Sequence, residues 1–531
     1  MRRVLAVLAL LTLTACGSTV QQAGGGALGQ AAGGTGADSG LGGSTAGDST
    51  GLGGAAGALA PGTDPASGGT APGGAFSTGS GSGSGAAAGS GTSTGTGAST
   101  VTSGGSAGSG SAATGPQGPG VSATTIKVGL VAVEDPNAGN KAGGINTANV
   151  HNIDDTTRAV VDDLNKRGGI AGRKVELVVY KYPGNSTTNE QLQAQACEKF
   201  TRDNKVLASL SDLGDNAQNC FEKAGLVTIG GGHTGYGEAQ YRRYPHLLNP
   251  GAFSVDDQVE TVVRGLKAQG WTSPWNPITG TAGSEEPHVG VVAFDLPAYR
   301  NAVEKHSKPA LAAAGVKKVQ VFYIRPNLND GQADAQAAVL KFKREGVSHV
   351  TFLDNSGGLL ELVFATNANS QGYFPRFGCD SGSCNQIVAE QMPASSLRGA
   401  VLVGWSPLND VPASHDFVLP ERKRCEKIMT DRGMAPFSRN DLNVMANVCQ
   451  GVWFFEAAAK AAGPSLFADT ILQGAFKIGR SFSPPATFAV GITPARHAGA
   501  DAYRYAAWDT TCGGGSSGCF MYTGPVRRFN S

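Results

Sequence analysis

A nearly even balance of charge characterises this chain of 531 residues, which has 42 lysines and arginines against 41 aspartates and glutamates. Proteins that bind nucleic acid concentrate basic residues in a patch or stripe, and the sequence has no such stripe interleaved with aromatic residues. We therefore predict no nucleic-acid partner.

The chain begins with a pattern typical of an exported lipoprotein. Arg2 and Arg3 precede an apolar run of about ten residues, Val4 to Leu13, which is too short to span a bilayer and fits a signal peptide. The following Leu13-Thr14-Ala15-Cys16 resembles the bacterial lipobox, in which the cysteine is diacylated and becomes the new N-terminus. The resemblance implies a signal peptide over residues 1–15 and lipidation of Cys16. An ordinary signal peptide that ends near a cysteine is the alternative interpretation.

Residues 16–123 contain the lipidated cysteine and a low-complexity linker of glycine, serine, alanine and threonine. Its charged residues are Asp38, Asp48 and Asp64. So little apolar bulk does not offset the entropy of ordering, and a coil of this composition reaches roughly 55–60 Å on average. We expect a tether that holds the domain of residues 124–531 at the outer face of the bacterial cell membrane, with no second membrane segment.

Strands and helices alternate through the first part of this domain. The continuous apolar run at 126–133 is typical of a buried parallel strand, and the helix at 154–166 ends at Gly168 and Gly169. The predicted strands are 126–133, 175–180, 206–210 and 226–229, and the predicted helices are 154–166, 188–203 and 215–224. This order predicts an α/β fold with a doubly wound parallel sheet.

The alternation restarts after Pro250. The predicted helices are 255–269, 298–314, 333–344 and 359–369, and the predicted strands are 289–294, 318–323, 349–353 and one around 376–378. Two Rossmann-like halves in sequence predict two lobes. Open α/β sheets bind ligands beyond the carboxyl ends of their strands, so we expect the ligand site in the cleft between the lobes.

Eight cysteines remain when Cys16 is set aside. An even count in an exported domain indicates disulfides, and the spacing favours four consecutive pairs. The pairs are Cys197 with Cys220, Cys379 with Cys384, Cys425 with Cys449, and Cys512 with Cys519. A zinc site is the alternative, but no C-x-x-C pair has matching histidines, so we predict no metal.

The segment LNKRGGIAGRKVELVVY, from Leu164 to Tyr180, resembles the Gly-Gly-Ile signature of type I periplasmic solute-binding proteins. It is most similar to the Leu/Ile/Val-binding and amide-binding receptors of ABC importers. KAGLVTIGGGHT and VGITPARHAGADAYRYAAWD support the resemblance, which covers essentially all of residues 124–531.

The resemblance implies a type I periplasmic-binding-protein fold, with two Rossmann-like lobes joined by a hinge of three crossovers. The first lobe would span about 124–248 and 405–478, and the second about 249–404 and 479–531. The implied function is extracytoplasmic capture of a small polar solute, such as an amino acid or an amide, for an ABC permease, without catalysis or a cofactor. A ligand-sensing or scaffold lipoprotein of the same fold without transport is the alternative.

The resemblance also implies ligand contacts from both lobes. In the first lobe these are Ser211, Asp212, Gly232, His233 and Thr234. In the second lobe they are Asp295, Tyr299, Asn355 and Asp380. The family's carboxylate-binding hydroxyl after the third strand is either replaced by Asp212 or shifted to Ser211. A carboxylate in its place would repel the carboxylate of an amino acid. It therefore favours an amide, a polyol or a cationic solute.

Several of these residues also have a structural interpretation, and His233 suits either the cleft or a solvent-exposed turn. Asp212 and Asp380 are suited to capping helices, and Tyr299 to packing. Trp405 suits either stacking on the ligand or packing at the hinge.

Glycines at 230, 232 and 235 match the dinucleotide fingerprint, but no clear helix follows them, so we predict no nucleotide cofactor.

Overall fold

The structure is a computed structural model that describes residues 117–135, 151–183, 189–231, 235–325, 328–353, 359–512 and 518–529. The predicted signal peptide, Cys16 and almost all of the linker lie outside the described residues, as do Gly232, His233, Thr234 and Asn355.

Five parallel strands form the first sheet, in the order β2-β1-β3-β4-β5. They are Thr125–Val133 (β1), Lys174–Tyr182 (β2), Ala208–Ser209 (β3), Val227–Ile229 (β4) and Leu247–Leu248 (β5). Helices connect them: Ile153–Lys166 (α1), Asn189–Glu198 (α2), Asp215–Lys223 (α3) and Glu238–Arg243 (α4). The sequence predicted the first four strands and first three helices, whereas β5 and α4 are too short to show a periodic pattern.

The second sheet has the order β14-β13-β12-β11-β10-β8-β9, and β8 to β12 are parallel. Its strands from the middle of the chain are His288–Phe294 (β8), Lys318–Ile324 (β9), His349–Leu353 (β10), Arg376–Asp380 (β11) and Val401–Gly404 (β12), preceded by a small hairpin of Trp275–Asn276 (β6) and Thr281–Ala282 (β7). The helices of this part are Val255–Ala268 (α5), Pro297–Ala302 (α6), Lys308–Ala313 (α7), Leu328–Arg344 (α8), Leu359–Ser370 (α9), Gln386–Ala389 (α10) and Pro407–Asp410 (α11). The predicted α/β fold is confirmed.

Three later helices return to the first sheet before the chain ends on the second. They are Pro420–Asp431 (α12), Arg439–Ala462 (α13) and Ala468–Ile478 (α14). Trp453 and Ile471 of these helices share a hydrophobic core with Val128 and Val160. The last strands, Ala502–Asp509 (β13), Cys519–Tyr522 (β14) and Arg527–Arg528 (β15), add to the second sheet in antiparallel orientation.

We call the first sheet with α1–α4 and α12–α14 the first lobe, and the second sheet with α5–α11 the second lobe. The chain crosses between them after β5, after α11 and after α14. Two of the crossing segments are hydrogen-bonded to each other, because Asn249 N donates to His497 O at 3.0 Å and Gly499 N donates to Asn249 O at 2.6 Å. The ring of Trp405 lies edge-on to Phe253 at 5.2 Å beside these crossings.

A buried aspartate holds three arginines at the last crossing. Asp501 is fully buried, and Arg480, Arg496 and Arg528 approach its carboxylate at 2.8, 3.2 and 3.2 Å. Arg496 also contacts Asp257 of α5 at 3.3 Å. This network links the end of α14 to α5 and β15 of the second lobe.

The eight cysteines pair consecutively, as their spacing predicts. Cys197 with Cys220 joins α2 to α3, and Cys425 with Cys449 joins α12 to α13. Within the described part of the chain, no helix is both long and apolar enough to cross a membrane.

Candidate functional site

A cavity of about 450 Å³ lies between the two lobes. Its first-lobe wall comes from α2, from the start of α3, and from the loop and helix after β4; its second-lobe wall comes from the starts of α5 and α6. The polar and aromatic side chains of the lining are Gln193, Asp215, Tyr236, Gln240, Arg243, Asp256, Tyr299 and Asn301. The wall therefore uses the carboxyl ends of β3, β4 and β8, where α/β sheets bind ligands.

The first-lobe wall is held by its own hydrogen bonds. Gly214 N donates to the Tyr236 hydroxyl at 2.8 Å. Gln193 Oε1 accepts from the main-chain N–H groups of Asn216 and Ala217 at 3.0 and 3.1 Å, which satisfies donors in the first turn of α3. Tyr236 and Gln193 thus fix this wall before any solute arrives.

The two lobes touch at one side of the cavity. Asp256 of α5 accepts a hydrogen bond at 2.7 Å from Glu238 N, the first residue of α4. Tyr299 lies against Gly235 so closely that a Cβ atom on Gly235 would sit 2.6 Å from the Tyr299 hydroxyl. Only glycine permits this approach, so Gly235 and Tyr299 define how near the lobes come.

Ser211 and Asp212 follow β3, as predicted. The Ser211 hydroxyl accepts from Val131 N at 3.0 Å. Asp212 is 6 % exposed, and burial raises the pKa of its carboxyl to about 7. Among the described residues, its Oδ2 atom has no hydrogen-bond partner, and it faces Gly230, where a Cβ would lie 2.8 Å away.

The second-lobe candidates have different surroundings. Asp295 pairs with Arg300 at 2.5 Å, and this hydrogen bond lowers the pKa of its carboxyl. Asp380 is fully buried: Gln258 Nε2 donates to it at 2.9 Å and Gly382 N at 2.8 Å, while burial raises its pKa. Of the described candidates, Tyr299 lines the cavity, whereas Ser211, Asp212, Asp295 and Asp380 are not part of its lining.

Sequence reasoning missed most of the polar lining. Gln193 and Gln240 lie on helices whose relative placement depends on the sheet order, so no local pattern marks them. The sequence does contain a signal for Asp256, because it is an acid in the first turn of the helix that follows the first crossing. Asn301 lies two residues after Tyr299, so the rule that ligands bind beyond the carboxyl ends of strands also applies to it.

Three solved structures have the same fold. A fatty acid ABC transporter substrate-binding protein from Thermomonospora curvata is 17% identical, with a TM-score of 0.53 over 78% of this chain and 95% of that one. A branched chain amino acid ABC transporter protein from Thermus thermophilus with bound valine is 15% identical, with a TM-score of 0.54 over 76% and 96%. A solute binding protein from R. palustris in complex with 4-hydroxybenzoate is 14% identical, with a TM-score of 0.54 over 77% and 98%.

A search of curated proteins finds no match to the sequence. A family model described as "Periplasmic binding protein" matches residues 142–514, which is most of the chain and includes the residues that line the cavity. The protein therefore belongs to the periplasmic binding protein family, in agreement with its Gly-Gly-Ile segment and its two-lobed fold.

Proposed function

We propose that the protein captures a small polar solute outside the cytoplasm and delivers it to an ABC-type permease. The observation that carries the proposal is the cavity of about 450 Å³ whose walls come from both lobes. A site divided in this way is completed only when the lobes are together, so solute binding favours the closed arrangement. The permease can then distinguish loaded from empty protein by shape.

The lining suits recognition of a neutral or mixed-charge solute. Gln193, Gln240 and Asn301 offer amide groups, and Tyr236 and Tyr299 offer phenol rings from opposite lobes. Pockets of this kind bind through apolar contact and a few placed polar groups. Periplasmic binding proteins are a non-catalytic class, and we assign no reaction to this chain.

The connections between the lobes suit a hinge. The hydrogen bonds between Asn249 and the segment His497–Gly499 are main-chain bonds, which survive changes of side-chain packing during rotation. On another face, Arg439 of α13 donates to Leu408 O of α11 at 2.6 Å. We propose the contacts of Asn249 with the segment His497–Gly499 as the pivot about which residues 124–248 and 405–478 move relative to 249–404 and 479–531. Both partners of the Arg439–Leu408 bond lie within residues 405–478 and move together.

The same proposal includes the export and anchoring of the chain. Diacylation of Cys16 and the linker of residues 16–123 would tether the binding domain near its permease. Of the similar structures described above, one is named as the substrate-binding protein of a fatty acid ABC transporter, and two contain bound valine or 4-hydroxybenzoate.

The test is retention of a solute by the full chain. The protein is incubated with a metabolite extract and examined by native mass spectrometry and thermal unfolding. A retained solute stabilises the folded state by about 2.7 kcal/mol at a free concentration of one hundred times its Kd. Uptake of that solute at low concentration by cells lacking the gene should return fully with the wild-type gene and with Arg264→Gln, a change on the exposed face of α5, and only weakly with Asp256→Ala. Failure to retain any compound would refute the proposal.

A further inference from the structure

Gln193 of α2 is a buried amide at the wall of the cavity. It is 6 % exposed and lines the cavity together with Gly214. Its Oε1 atom accepts from the main-chain N–H groups of Asn216 and Ala217, which can only donate, so this contact fixes which end of the amide is oxygen. The Nε2 atom has no hydrogen-bond partner among the described residues. Buried polar groups nearly always have partners, so this end of the amide needs an explanation.

The unpaired end of the amide lies beside Gly214. A Cβ atom on Gly214 would come 3.1 Å from Gln193 Nε2, and the φ of +104° at this position also favours glycine. Gly214 N donates to the Tyr236 hydroxyl at 2.8 Å, and the proton of that hydroxyl has no acceptor in the described part of the chain. Gln193 and Tyr236 therefore each bring a hydrogen that is free to be donated to the same part of the wall.

The two carboxylates of the described lining do not take these hydrogens, because each is bonded elsewhere. Asp215 Oδ1 accepts from Gln240 Nε2 at 2.8 Å. Asp256 Oδ2 accepts from Glu238 N at 2.7 Å. The hydrogens of Gln193 are thus available to a group that enters the cavity.

The position of Gln193 at the start of α3 makes its amide a stronger donor. The first N–H groups of a helix form its positive end, and two of those of α3 are bonded to Gln193 Oε1. An amide whose oxygen accepts two hydrogen bonds is polarised, which strengthens the bonds that its nitrogen can donate. Gln193 therefore extends the positive end of α3 into the cavity.

We propose that Gln193 and Tyr236 together bind an acceptor oxygen of the solute, which belongs to a carbonyl or a carboxylate group. The second-lobe wall at Leu296, Pro297 and Ala298 suits the apolar part of the same solute. This inference rests on the proposed function and deepens it by assigning residues that determine specificity. Neither Gln193 nor Tyr236 is among the contacts that the family resemblance implies.

Three probes that share a benzyl group test this site. Phenylacetamide and phenylacetate present an acceptor oxygen, neutral in the first and charged in the second, whereas phenethylamine presents only donors. Their Kd values are measured on the full chain at pH 8 by ligand-observed NMR. We expect the tighter of the two oxygen-bearing probes to bind about tenfold or more tightly than phenethylamine. The comparison between phenylacetamide and phenylacetate identifies the kind of oxygen.

Gln193→Glu separates solute binding from the capping of α3. The new carboxylate still accepts from Asn216 and Ala217, so we expect cooperative unfolding near the wild-type temperature. It has no hydrogen to donate at pH 8, so phenethylamine should become the tightest of the three probes. Gln195→Glu, the same change at an exposed position of α2, is the matched control and should leave all three Kd values unchanged.

The outcomes separate this inference from the proposed function. If phenethylamine binds wild-type protein most tightly, or if the order of the probes is unchanged in a cooperatively unfolding Gln193→Glu, the inference is overturned and solute capture stands. If Gln193→Glu does not unfold cooperatively, Tyr236→Phe decides, and a loss of less than about threefold for the oxygen-bearing probes overturns the inference.

The compound retained from a metabolite extract covers the remaining case. If no probe binds but a compound is retained, Gln193→Glu must bind that compound about tenfold more weakly or worse, and equal binding overturns the inference. If no probe binds and nothing is retained, both the inference and the proposed function fail.

Discussion

The carboxylate of Asp256 in the second lobe accepts a hydrogen bond at 2.7 Å from the main-chain N–H of Glu238 in the first lobe. Asp256 is 3 % exposed and is also approached by Asn301 Nδ2 at 3.4 Å, so its second oxygen is held within its own lobe. The carboxylate is therefore oriented toward α4 before the lobes meet. A charged, buried hydrogen bond of this kind contributes about 1.5–3 kcal/mol.

Replacing Asp256 with alanine removes this bond between the lobes. We expect the closed arrangement to lose about 1.4 kcal/mol or more, so the Kd for the captured solute rises about tenfold. Calorimetry measures the affinity, and small-angle scattering measures the opening as a larger radius of gyration. Arg264→Gln, on the exposed face of the same helix, should change neither quantity. An unchanged affinity in Asp256→Ala would mean that the bond is made equally in open and closed protein.

The second contact between the lobes, of Tyr299 with Gly235, is possible because glycine has no side chain. A Cβ on Gly235 would lie 2.6 Å from the Tyr299 hydroxyl and 2.8 Å from a ring carbon of Tyr299, closer than real contacts. Gly235→Ala should therefore displace Tyr299 and hold the lobes apart, and we expect at least a tenfold loss of affinity. The measurement is a double-mutant cycle with Tyr299→Ala. Because the three atoms nearest to that Cβ all belong to Tyr299, its effect should almost vanish in the double variant, and additive losses would contradict the steric argument.

Much of the fold was predictable because the strands are buried on both faces. The apolar run of β1 and the stop at Gly168 and Gly169 are local signals, and both lie where the sequence placed them. The antiparallel addition of β13 and β14 to the second sheet was not predicted. Its register depends on β12, about one hundred residues earlier in the chain, and no local pattern specifies such a partner.

The site was less predictable than the fold. The loop that contains Tyr299 follows from the rule that ligands bind at the carboxyl ends of strands, and Tyr299 does line the cavity. Gln193 was beyond this rule, since its amide reaches the first turn of α3 only because α2 and α3 lie side by side. The Asp256–Glu238 bond joins residues 18 apart that belong to different lobes, and it exists only once both lobes have folded.

Replacing the buried aspartate of the network at the last crossing should destabilise the protein strongly. Asp501 is fully buried and is approached by Arg480, Arg496 and Arg528. Asp501→Ala leaves Arg496, itself only 14 % exposed at its side chain, without that partner, and breaking a buried ion pair from one side costs about 3–5 kcal/mol. Urea unfolding should show this loss as a lower midpoint.

The control for this prediction removes an exposed member of the same network. The Arg480 side chain is 63 % exposed, so Arg480→Gln should cost under about 1 kcal/mol. Equal losses of unfolding free energy in Asp501→Ala and Arg480→Gln would indicate that the buried carboxylate contributes no more to stability than an exposed member of the network.

Because Asp212 is buried, we expect the stability of the protein to depend on pH in an unusual way. Burial raises its pKa from 3.8 to about 7 in the folded protein, whereas the unfolded chain keeps the ordinary value. Between these two values the folded state retains a proton that the unfolded state has released. The unfolding free energy therefore decreases as the pH rises from about 4 to about 7, by on the order of 4 kcal/mol from this group alone.

Asp212→Asn separates this contribution from the other titrating groups, because the amide has no proton to release. Subtracting the unfolding free energies of wild type and variant at each pH from 4 to 8 should give a curve that shifts in favour of Asp212→Asn as the pH rises from about 4 to about 7 and levels off above the folded pKa. Asp203→Asn, with an exposed carboxyl, should give a flat difference. A flat difference for Asp212→Asn as well would mean that Asp212 is charged at no cost, and hence that some cation or donor already pairs with it in the protein.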